Sequence, residues 1–343
     1  MNILFISRSY YPHIGGVEKH AREIARRLIK RGHKVVVVTQ LGPKEKQEEL
    51  KDGVKIIRFY YPKIKLLGLL RIWLWFINNL QLVKEANVVH IHDVFIWYLP
   101  LRFLFPQKPV FVTFHGWEGE FPIPLIYRFI RKISEKLSWG NICVGNYLTK
   151  WYGAKPNYVT YGGVNVIKSL KFKFKNSLKR IPKILFIGRL DEDTGLEVYL
   201  DALNNLKVRG INFKFEACGN GPLIGEVARY GRVNGFVKNL FPYIAKSHFI
   251  FSSGYLSILE AMAAKKIVFA AGSNPLKRDY LKLSPFAKWI IIGSSGENLA
   301  EKIEYLLKNP KTQRSILNQA YSWAVKQSWD KVLDIYLRLW GQA

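Results

Sequence analysis

Cysteine is scarce in this sequence, which has only two, Cys143 and Cys218, far apart along the chain. Each lies inside a short apolar run, and neither belongs to a Cys-x-x-Cys pair. A disulfide framework needs more cysteines than this and a structural zinc site needs closer spacing, so neither is expected to organise the fold. We predict two buried, free thiols.

Long hydrophobic runs are also lacking, and we expect no signal peptide. Met1 to Ile6 is apolar, but it is too short for the core of a signal peptide and has no basic segment before it, so it predicts a first core strand. The nearest candidate for a membrane span, Leu66 to Val83, contains Arg71 and several amides and falls short of the ~20 apolar residues that a span needs. These absences predict a cytoplasmic protein without a membrane span.

Acidic residues are few: 25 Asp and Glu stand against 53 Lys and Arg, which gives a formal net charge of +28. Such a charge concentrates anions around a protein, whether nucleic acid, anionic lipid, or nucleotide and phosphate substrates. The other proportions, 49% hydrophobic and 23% charged, are those of a globular protein and exclude the disordered and fibrous classes. A length of 343 residues predicts two domains, each with its own core.

The first half of the chain alternates apolar strands with amphipathic helices. After the strand at residues 3–6, apolar residues from Val17 to Ile29 recur at helical spacing, and Gly32 ends the helix. Val35 to Thr39 is a β-branched run typical of a buried parallel strand. Further strands are predicted at Val54–Phe59, Val88–His92, Val110–Phe114 and Asn141–Val144. This alternation predicts a parallel sheet with right-handed crossovers.

The same pattern restarts after a basic stretch at residues 168–183. A helix is predicted at Leu196–Leu206, and strands are predicted at Ile184–Gly188, Phe213–Cys218, Phe249–Phe251 and Ile267–Ala270. We therefore predict an α/β fold with two Rossmann-like, doubly wound domains at residues 1–168 and 169–325. A C-terminal helix at residues 326–343 follows, and the sequence leaves open whether it packs back on the first domain.

Loops beyond the carboxyl ends of parallel strands are where ligands bind in such folds, so polar residues there are candidates for a site. In the first half, Gly15 and Gly16 stand just before a helix. Backbone amides at a helix start can hold an anion, and glycine lets a ligand approach closely; the alternative is a plain turn.

A histidine follows the predicted strand at residues 110–114. His115 lies beside Gly116, where we expect it to point away from the core and to exchange hydrogen bonds with a ligand near neutral pH. A structural histidine is the alternative. His90 and His92, on the preceding strand, are equally well interpreted as core residues.

Three loops of the second half have comparable features. Arg189 follows a strand, and its planar fork suits phosphate oxygens. Gly219 to Pro222 is only weakly similar to a dinucleotide loop, because Pro222 lacks an amide proton and no acidic residue ends a strand about 20 residues later; a dehydrogenase is not expected. A Gly/Ser-rich loop at residues 252–257 enters a helix with Glu260, whose carboxylate suits ribose hydroxyls or simply complements the helix dipole.

These motifs, in this order, resemble glycosyltransferase family 4, which consists of retaining enzymes of the GT-B fold. The matching segments of the first half are Tyr11-Pro12, Gly15 to Glu18, Arg31 to Val35, Val88 to His92 and Thr113 to Gly116. Those of the second half are Gly162 to Asn165, Gly188 to Leu190, Gly219 to Pro222 and Leu259 to Ala263. The resemblance covers essentially the whole chain. It implies GT-B architecture, with an acceptor-binding and a donor-binding Rossmann-like domain facing across a cleft.

The resemblance also implies an activity and a set of site residues. It places His115 at the transferred sugar and Arg189 at the leaving diphosphate of a nucleotide sugar, as the catalytic residues. The implied donor-binding residues are Gly15, Gly16, Arg189, Thr194, Gly219, Gly221, Ser252, Leu256, Ser257 and Glu260. Fixed positive charge and aimed amides are what a departing diphosphate needs. The resemblance implies no cofactor besides the nucleotide sugar. From the residues themselves we expect no metal, because the only acidic cluster, Asp191 to Asp193, is interpreted as a loop after Leu190 and no other clustered carboxylates are found near the phosphate loops.

Three positions depart from the family pattern. Thr194 stands where the family has a lysine, Ser252 stands where it has the first of two glutamates, and Gly162 to Asn165 replaces Asn-Gly-Val-Asp. The first departure removes a phosphate cation and the second removes an acceptor for sugar hydroxyls. A degenerate nucleotide-binding member without turnover is therefore an alternative. A nucleic-acid-binding protein would explain the charge but has no recognition motif here.

Two basic segments rich in aromatic residues favour an acceptor at a membrane surface, either a lipid-linked saccharide or a lipid head group. One has Lys63, Lys65 and Arg71 around the apolar residues from Leu66 to Ile77, including Trp73 and Trp75. The other, Pro122 to Trp139, interleaves apolar residues with Arg128, Arg131, Lys132 and Lys136. Such helices suit a lipid interface, with roughly 1 kcal/mol for each cation near an anionic leaflet. We expect peripheral binding at the cytoplasmic face of the membrane; core helices and a soluble acceptor are the alternative.

Overall fold

The computed structural model describes residues 1–60, 65–116, 119–165 and 181–341, with side chains except at 65 and 66. The chain divides into two compact units: Met1–Thr160 together with Trp329–Ala343, and Tyr161–Ser328. The last helix therefore belongs to the first unit. The predicted boundary at residue 168, most of the basic stretch before residue 183, and Lys63 lie outside the described residues.

The first unit is built on a parallel sheet edged by one antiparallel strand. Its strands are β1 (Asn2–Ser7), β2 (Lys34–Gln40), β3 (Glu48–Lys51), β4 (Val54–Phe59), β5 (Val88–His92), β6 (Val110–Phe114), β7 (Gly140–Val144) and β8 (Tyr158–Thr160). Within the described residues their order is β3-β4-β2-β1-β5-β6-β7-β8, and β3 pairs antiparallel with β4. The residues of β5, β6 and β7 are all buried, which explains their nearly continuous apolar sequences.

Helices connect these strands in the part of the first unit that the structure describes. They are α1 (Gly16–Lys30), α2 (Lys65–Asn78), α3 (Leu80–Glu85), α4 (Phe95–Leu104), α5 (Leu125–Leu137) and α6 (Tyr147–Tyr152). The buried residues of α1 recur every three or four positions from His20 to Leu28, as its amphipathic sequence predicts. Gly32 follows α1 with a φ of 82°, a left-handed conformation that suits the end of a helix.

The second unit repeats the architecture with a parallel sheet. Its strands are β9 (Lys183–Ile187), β10 (Lys214–Cys218), β11 (Arg232–Val233), β12 (Phe249–Phe251), β13 (Ile267–Ala271) and β14 (Ile291–Gly293), in the order β11-β10-β9-β12-β13-β14 across the part of the chain described. Its helices are α7 (Leu196–Val208), α8 (Ile224–Ala228), α9 (Phe241–Lys246), α10 (Tyr255–Ala263), α11 (Pro275–Lys282), α12 (Gly296–Lys308) and α13 (Pro310–Ala324). A core that includes Phe186, Tyr199, Phe251 and Phe269 joins α7 to the sheet.

The last helix, α14 (Trp329–Leu339), packs against α1 of the first unit. The predicted α/β class with two Rossmann-like domains is confirmed, and both cysteines are buried and free, as predicted. The sequence missed β3, β8, β11 and β14, which are short and carry no clear apolar alternation. Within the described ranges, no helix combines the length and the apolarity needed to cross a membrane.

Candidate functional site

Two neighbouring strands of the first sheet end in histidine-bearing turns. His92 ends β5 and His115 follows β6, and Nδ1 of His92 lies 2.8 Å from Nε2 of His115. Asp93 has a φ of 62°, a left-handed conformation that aspartate tolerates better than most residues. Its carboxylate accepts a hydrogen bond of 2.8 Å from the backbone N–H of His115. The turn after β5 therefore fixes the backbone of His115.

The side chain of His115 is buried, with 9% of its surface exposed, whereas the sequence predicted that it would point away from the core. Its ring meets that of His20 edge to face, with centroids 4.7 Å apart. Burial lowers the pKa of His115 well below its usual value, and nearby His20, His90 and Arg131 lower it further. His115 is consequently a neutral hydrogen-bonding group at pH 7.

The surrounding histidines form a hydrogen-bonded network with the end of the chain. Trp340 donates from Nε1 to Nδ1 of His90 at 3.1 Å, and Nε2 of His90 lies 2.7 Å from Oγ1 of Thr113. The hydroxyl of Tyr336 lies 2.9 Å from both Thr113 Oγ1 and His20 Nε2. Burial lowers the pKa of His20 to about 3 and the pKa values of His90 and His92 well below the usual range.

Sequence reasoning missed three residues of this region. Asp93 had a recognisable signal, an acid directly after a strand. Arg131 was assigned to a lipid-facing surface, but it is buried, donates to the carbonyl of Gly116 at 2.9 Å and stacks over Tyr152. Tyr336 had no local signal, because it reaches Thr113 from more than 200 positions away. In the described residues, no set of three or more metal-binding side chains is grouped around a common point.

The predicted anion loop at the start of α1 has open space. Gly16 is exposed, and a Cβ atom there would meet no described atom within 4 Å. Gly15 caps α1 without a side-chain hydrogen bond, and a Cβ on it would lie 2.2 Å from a carboxylate oxygen of Glu18. Gly16 therefore leaves room for a ligand, while Glu18 places a negative charge beside Gly15.

The second unit places Arg189 at the end of β9, where 61% of its side chain is exposed. It forms an ion pair with Oδ2 of Asp193, while Oδ1 of Asp193 is buried with no partner among the described groups. The hydroxyl of Thr194 donates to the carbonyl of Asp191 at 2.7 Å and also lies 3.2 Å from that of Arg189. Thr194 therefore closes the turn after β9, and its hydroxyl proton is used within the protein.

Gly219 and Gly221 are required by packing. A Cβ on Gly219 would lie 1.8 Å from the carbonyl oxygen of Gly188, and one on Gly221 would lie 2.3 Å from that of Leu190. The two loops are also joined by a hydrogen bond of 3.0 Å from Leu190 N to Asn220 O. These glycines therefore fix the turn that presents Arg189, which is a structural reason for them apart from ligand approach.

The loop before α10 holds the remaining predicted donor residues. Ser252 is fully buried and donates to the carbonyl of Ile187 at 3.0 Å, so its side chain belongs to the core. Ser257 donates to the carbonyl of Gly254 at 3.0 Å. Leu256 and Glu260 are partly exposed on the first turns of α10, whose N-cap, Gly254, makes no side-chain cap. The amides at the start of α10 and the carboxylate of Glu260 thus occupy one short segment.

A buried lysine near Arg189 was not predicted. Lys277 lies in the first turn of α11, after β13, and 8% of it is exposed. The pKa of Lys277 is lowered to about 8, mainly by burial. The charge of Asp193 acts to raise this pKa and that of Arg189 acts to lower it, so the three charges act on one another. The turn at Gly195 packs against Ala271 and Ser273 near the start of α11. The position is far from Thr194 in sequence, so the family pattern gave no signal for it.

Three adjacent helices of the first unit expose an apolar surface. The helix α4 contacts both α2 and α5. Exposed apolar side chains on these helices, hereafter the apolar surface, are Leu67, Leu70, Leu74, Ile77, Phe103, Leu104, Leu125, Ile126 and Phe129. On α2 they recur every three or four residues, while the opposite side, including Ile72 and Phe76, is buried. The helix α2 therefore buries one apolar side in the protein and exposes another.

The tryptophans near this surface differ from the prediction, whereas three of its basic residues agree with it. Trp73 donates to the carbonyl of Ile96 at 2.9 Å and Trp75 packs against Phe59, so neither tryptophan lies on the apolar surface. Arg71, Arg128 and Lys136 are exposed, as predicted. The surface therefore consists of aliphatic residues and phenylalanine flanked by exposed cations.

Comparison with known families covers most of the chain. The family model for Glycosyltransferase Family 4 matches residues 14–166, and the family model for Glycosyl transferases group 1 matches residues 181–309. One subunit of the phosphatidylinositol N-acetylglucosaminyltransferase of Homo sapiens is 31% identical over 101 residues, which are 27% of this chain and 20% of that protein. The match therefore spans about a fifth of that relative's length.

Solved structures resemble the fold over its full length. A glycosyltransferase from Rickettsia africae ESF-5 has a TM-score of 0.72 and 18% identity, covering 100% of this chain and 99% of that one. WaaG, a glycosyltransferase involved in lipopolysaccharide biosynthesis, has a TM-score of 0.62 and 15% identity, covering 97% and 99%. At such identities the likeness concerns the fold. Because the two family models match consecutive parts of the chain, the chain belongs to the family 4, group 1 glycosyltransferases and has their GT-B fold.

Proposed function

We propose that this glycosyltransferase moves a sugar from a nucleoside diphosphate sugar to a hydroxyl of a lipid-linked saccharide or lipid head group at an anionic membrane surface. Transfer retains the configuration of the sugar and needs no metal. The enzyme works at the cytoplasmic face. The observation that carries the membrane part of the proposal is the apolar surface with its flanking cations.

The donor is held by the second unit. The exposed guanidinium of Arg189 binds diphosphate oxygens, and Lys277 adds a second positive charge where the family lysine is missing. In this proposal the amides at the start of α10 bind the same anion, and Glu260 accepts from ribose hydroxyls. These charges are fixed before reaction, so they stabilise the leaving diphosphate without reorganisation.

The first unit handles the sugar and the acceptor. Neutral His115 forms a hydrogen bond with the transferred sugar, and the open space at Gly16 admits the diphosphate. The helices α2, α4 and α5 each start at the carboxyl end of the sheet, the edge that carries His115. A lipid tail inserted beside the first turns of α2 and α5 therefore brings its head group to that edge.

Charge and apolar area act together in this model of membrane binding. Exposed Leu and Phe side chains enter the interface while Arg71, Arg128 and Lys136 meet anionic head groups, in a chain with a net charge of +28. The names of two similar proteins, an enzyme of lipopolysaccharide biosynthesis and one subunit of a phosphatidylinositol N-acetylglucosaminyltransferase, are in keeping with a lipid-bearing acceptor.

Vesicle flotation tests the proposed membrane site. We expect the wild type to float with phosphatidylglycerol vesicles at low salt and to be released as salt rises. A variant with Leu74→Ser and Phe129→Ser should bind at least about tenfold more weakly, because each of the two apolar side chains contributes about 1.5–3 kcal/mol when it enters the membrane. The matched control is Val208→Ser with Phe236→Ser, which removes exposed apolar side chains from the second unit.

Equal binding by the two variants, or a wild type that stays in the supernatant, would contradict the membrane site and favour a soluble acceptor. Two other functions have their own signatures. A degenerate member would bind nucleotide sugars in a calorimetric titration but form no product. A nucleic-acid-binding protein would shift labelled DNA or RNA in a gel at physiological salt.

A further inference from the structure

The buried histidine network determines which nitrogen of each ring carries the proton. The four imidazoles are neutral near pH 7 because burial disfavours their charged forms, so each ring has one N–H and one acceptor nitrogen. The hydrogen-bond partners then decide the tautomer. Two branches can be followed, one from Trp340 to His20 and one between His92 and His115.

In the first branch the donor of every hydrogen bond can be assigned. The indole of Trp340 can only donate, so Nδ1 of His90 accepts and its Nε2–H donates to Thr113. Among the side chains that the structure describes, Tyr336 is the remaining partner of the Thr113 hydroxyl. Thr113 therefore donates to Tyr336, and Tyr336 donates to Nε2 of His20. The reverse direction would leave a buried hydroxyl proton without an acceptor, which is the less favourable arrangement.

The direction of the hydrogen bond in the second branch depends on the other nitrogen of His92. Nε2 of His92 is buried and makes no hydrogen bond within the described part of the chain. If His115 donated to His92, the proton of His92 would sit on this nitrogen as a buried, unpaired N–H. If His92 donates from Nδ1, only a lone pair is left without a partner. Orphaned buried N–H groups are rarer than unsatisfied acceptors, so the second arrangement is favoured.

We propose that His92 is a positioning residue for sugar transfer: it donates from Nδ1 to Nε2 of His115 and so holds the proton of His115 on Nδ1. His115 then offers a hydrogen-bond donor, and not an acceptor, to the bound sugar. The edge-on contact with His20, itself held by Tyr336, keeps the ring of His115 in place. The role in transfer rests on the proposed function, whereas the tautomer itself does not.

Nuclear magnetic resonance of protein labelled with ¹⁵N-histidine tests the tautomer without any substrate. The signals of His115 are identified by their loss in His115→Gln. In the wild type we expect Nδ1 of His115 to be protonated and Nε2 to be unprotonated. A wild-type spectrum with the proton on Nε2 of His115 overturns the inference, whatever the variants do.

Two substitutions of His92 then separate positioning from packing. His92→Asn keeps an N–H donor near the position of Nδ1, whereas His92→Asp, which is the same size, places a carboxylate oxygen there that only accepts. We expect His92→Asn to keep the His115 tautomer and most of kcat. In His92→Asp the acceptor should hold a proton on Nε2 of His115, and kcat should fall on the order of tenfold to a hundredfold with KM for the nucleotide sugar little changed. An unprotonated Nε2 of His115 and an unchanged kcat in His92→Asp contradict the proposal. The predicted tautomers without transfer by the wild type would refute the proposed function and leave the tautomer assignment intact.

Discussion

The two units place opposite kinds of side chain beyond the carboxyl ends of their strands. In the first unit the histidine side chains there are buried, uncharged and joined by hydrogen bonds to one another and to α14, next to the oppositely charged pair Asp93 and Arg131. In the second unit they are charged groups, with Arg189 exposed and paired to Asp193 and with Lys277 close enough to both to alter its pKa. Similar folds thus produce two edges of different chemistry.

Under the proposed function, each edge suits a different part of the donor. A sugar is uncharged and needs directional hydrogen bonds from groups of fixed tautomer, which a buried network provides. A leaving diphosphate is negative and needs cations and amides that are already in place. The comparison predicts that variants of the second edge will change charge-dependent steps, while variants of the first edge will change geometry.

The largest effect is expected at Arg189. Replacing it by alanine removes the charge-assisted contact with the diphosphate, and kcat should fall on the order of 10²-fold or more. Arg209→Ala is the control, because it also removes an arginine with an acidic partner, Glu304, from the second unit. Steady-state kinetics of both variants decide the point: turnover by Arg189→Ala within a few-fold of the wild type would remove Arg189 from the leaving-group role.

Glu260 should affect binding more than turnover. Without its carboxylate the ribose hydroxyls lose an acceptor, so Glu260→Ala should bind a nucleoside diphosphate about tenfold more weakly, a loss of about 1.4 kcal/mol. Isothermal titration measures this, with Glu301→Ala on α12 as the matched control. An affinity equal to that of the wild type would mean that the ribose is held elsewhere.

The smallest effect is a pH dependence that separates the two edges. Lys277 has a pKa of about 8, so it is charged below that pH and loses its charge as the pH rises through 8. The affinity for a nucleoside diphosphate should therefore fall by about threefold to tenfold as the pH rises from 7 to 9. This alkaline decline should be absent in Lys277→Gln. On the acid side, burial lowers the pKa of His115 well below its usual value, so no decline from its titration is expected near pH 6.5. The same alkaline decline in both proteins would exclude Lys277 as its source.

Much of the fold could be predicted because long buried strands have strong patterns. The β-branched run that forms β2 and the apolar runs of β5 and β6 follow directly from burial on both faces of a parallel sheet. The edge strand β3 was missed because its residues alternate between exposed and half-buried, with charges at most positions. The short strand β11 has two residues and no pattern to detect.

The site was harder to predict because its parts come from distant segments. The sequence identified His115 and Arg189 as candidates from their places after strands. It could not show that Ser252 is committed to the core or that Thr194 closes a turn. Lys277 and Tyr336 were missed because tertiary packing, and not local spacing, brings them to these edges.

Transfer itself tests the account most directly. The wild type is incubated, in EDTA, with nucleotide sugars labelled in the sugar and with anionic vesicles that carry membrane lipids from the source cells. We expect label to enter the lipid phase from one nucleotide sugar, to require the vesicles, to depend on Arg189 and to keep the anomeric configuration of the donor. Label that remains on the nucleotide sugar, although titration shows that the nucleotide sugar binds, would contradict the central claim that this site transfers a sugar to a lipid-anchored acceptor.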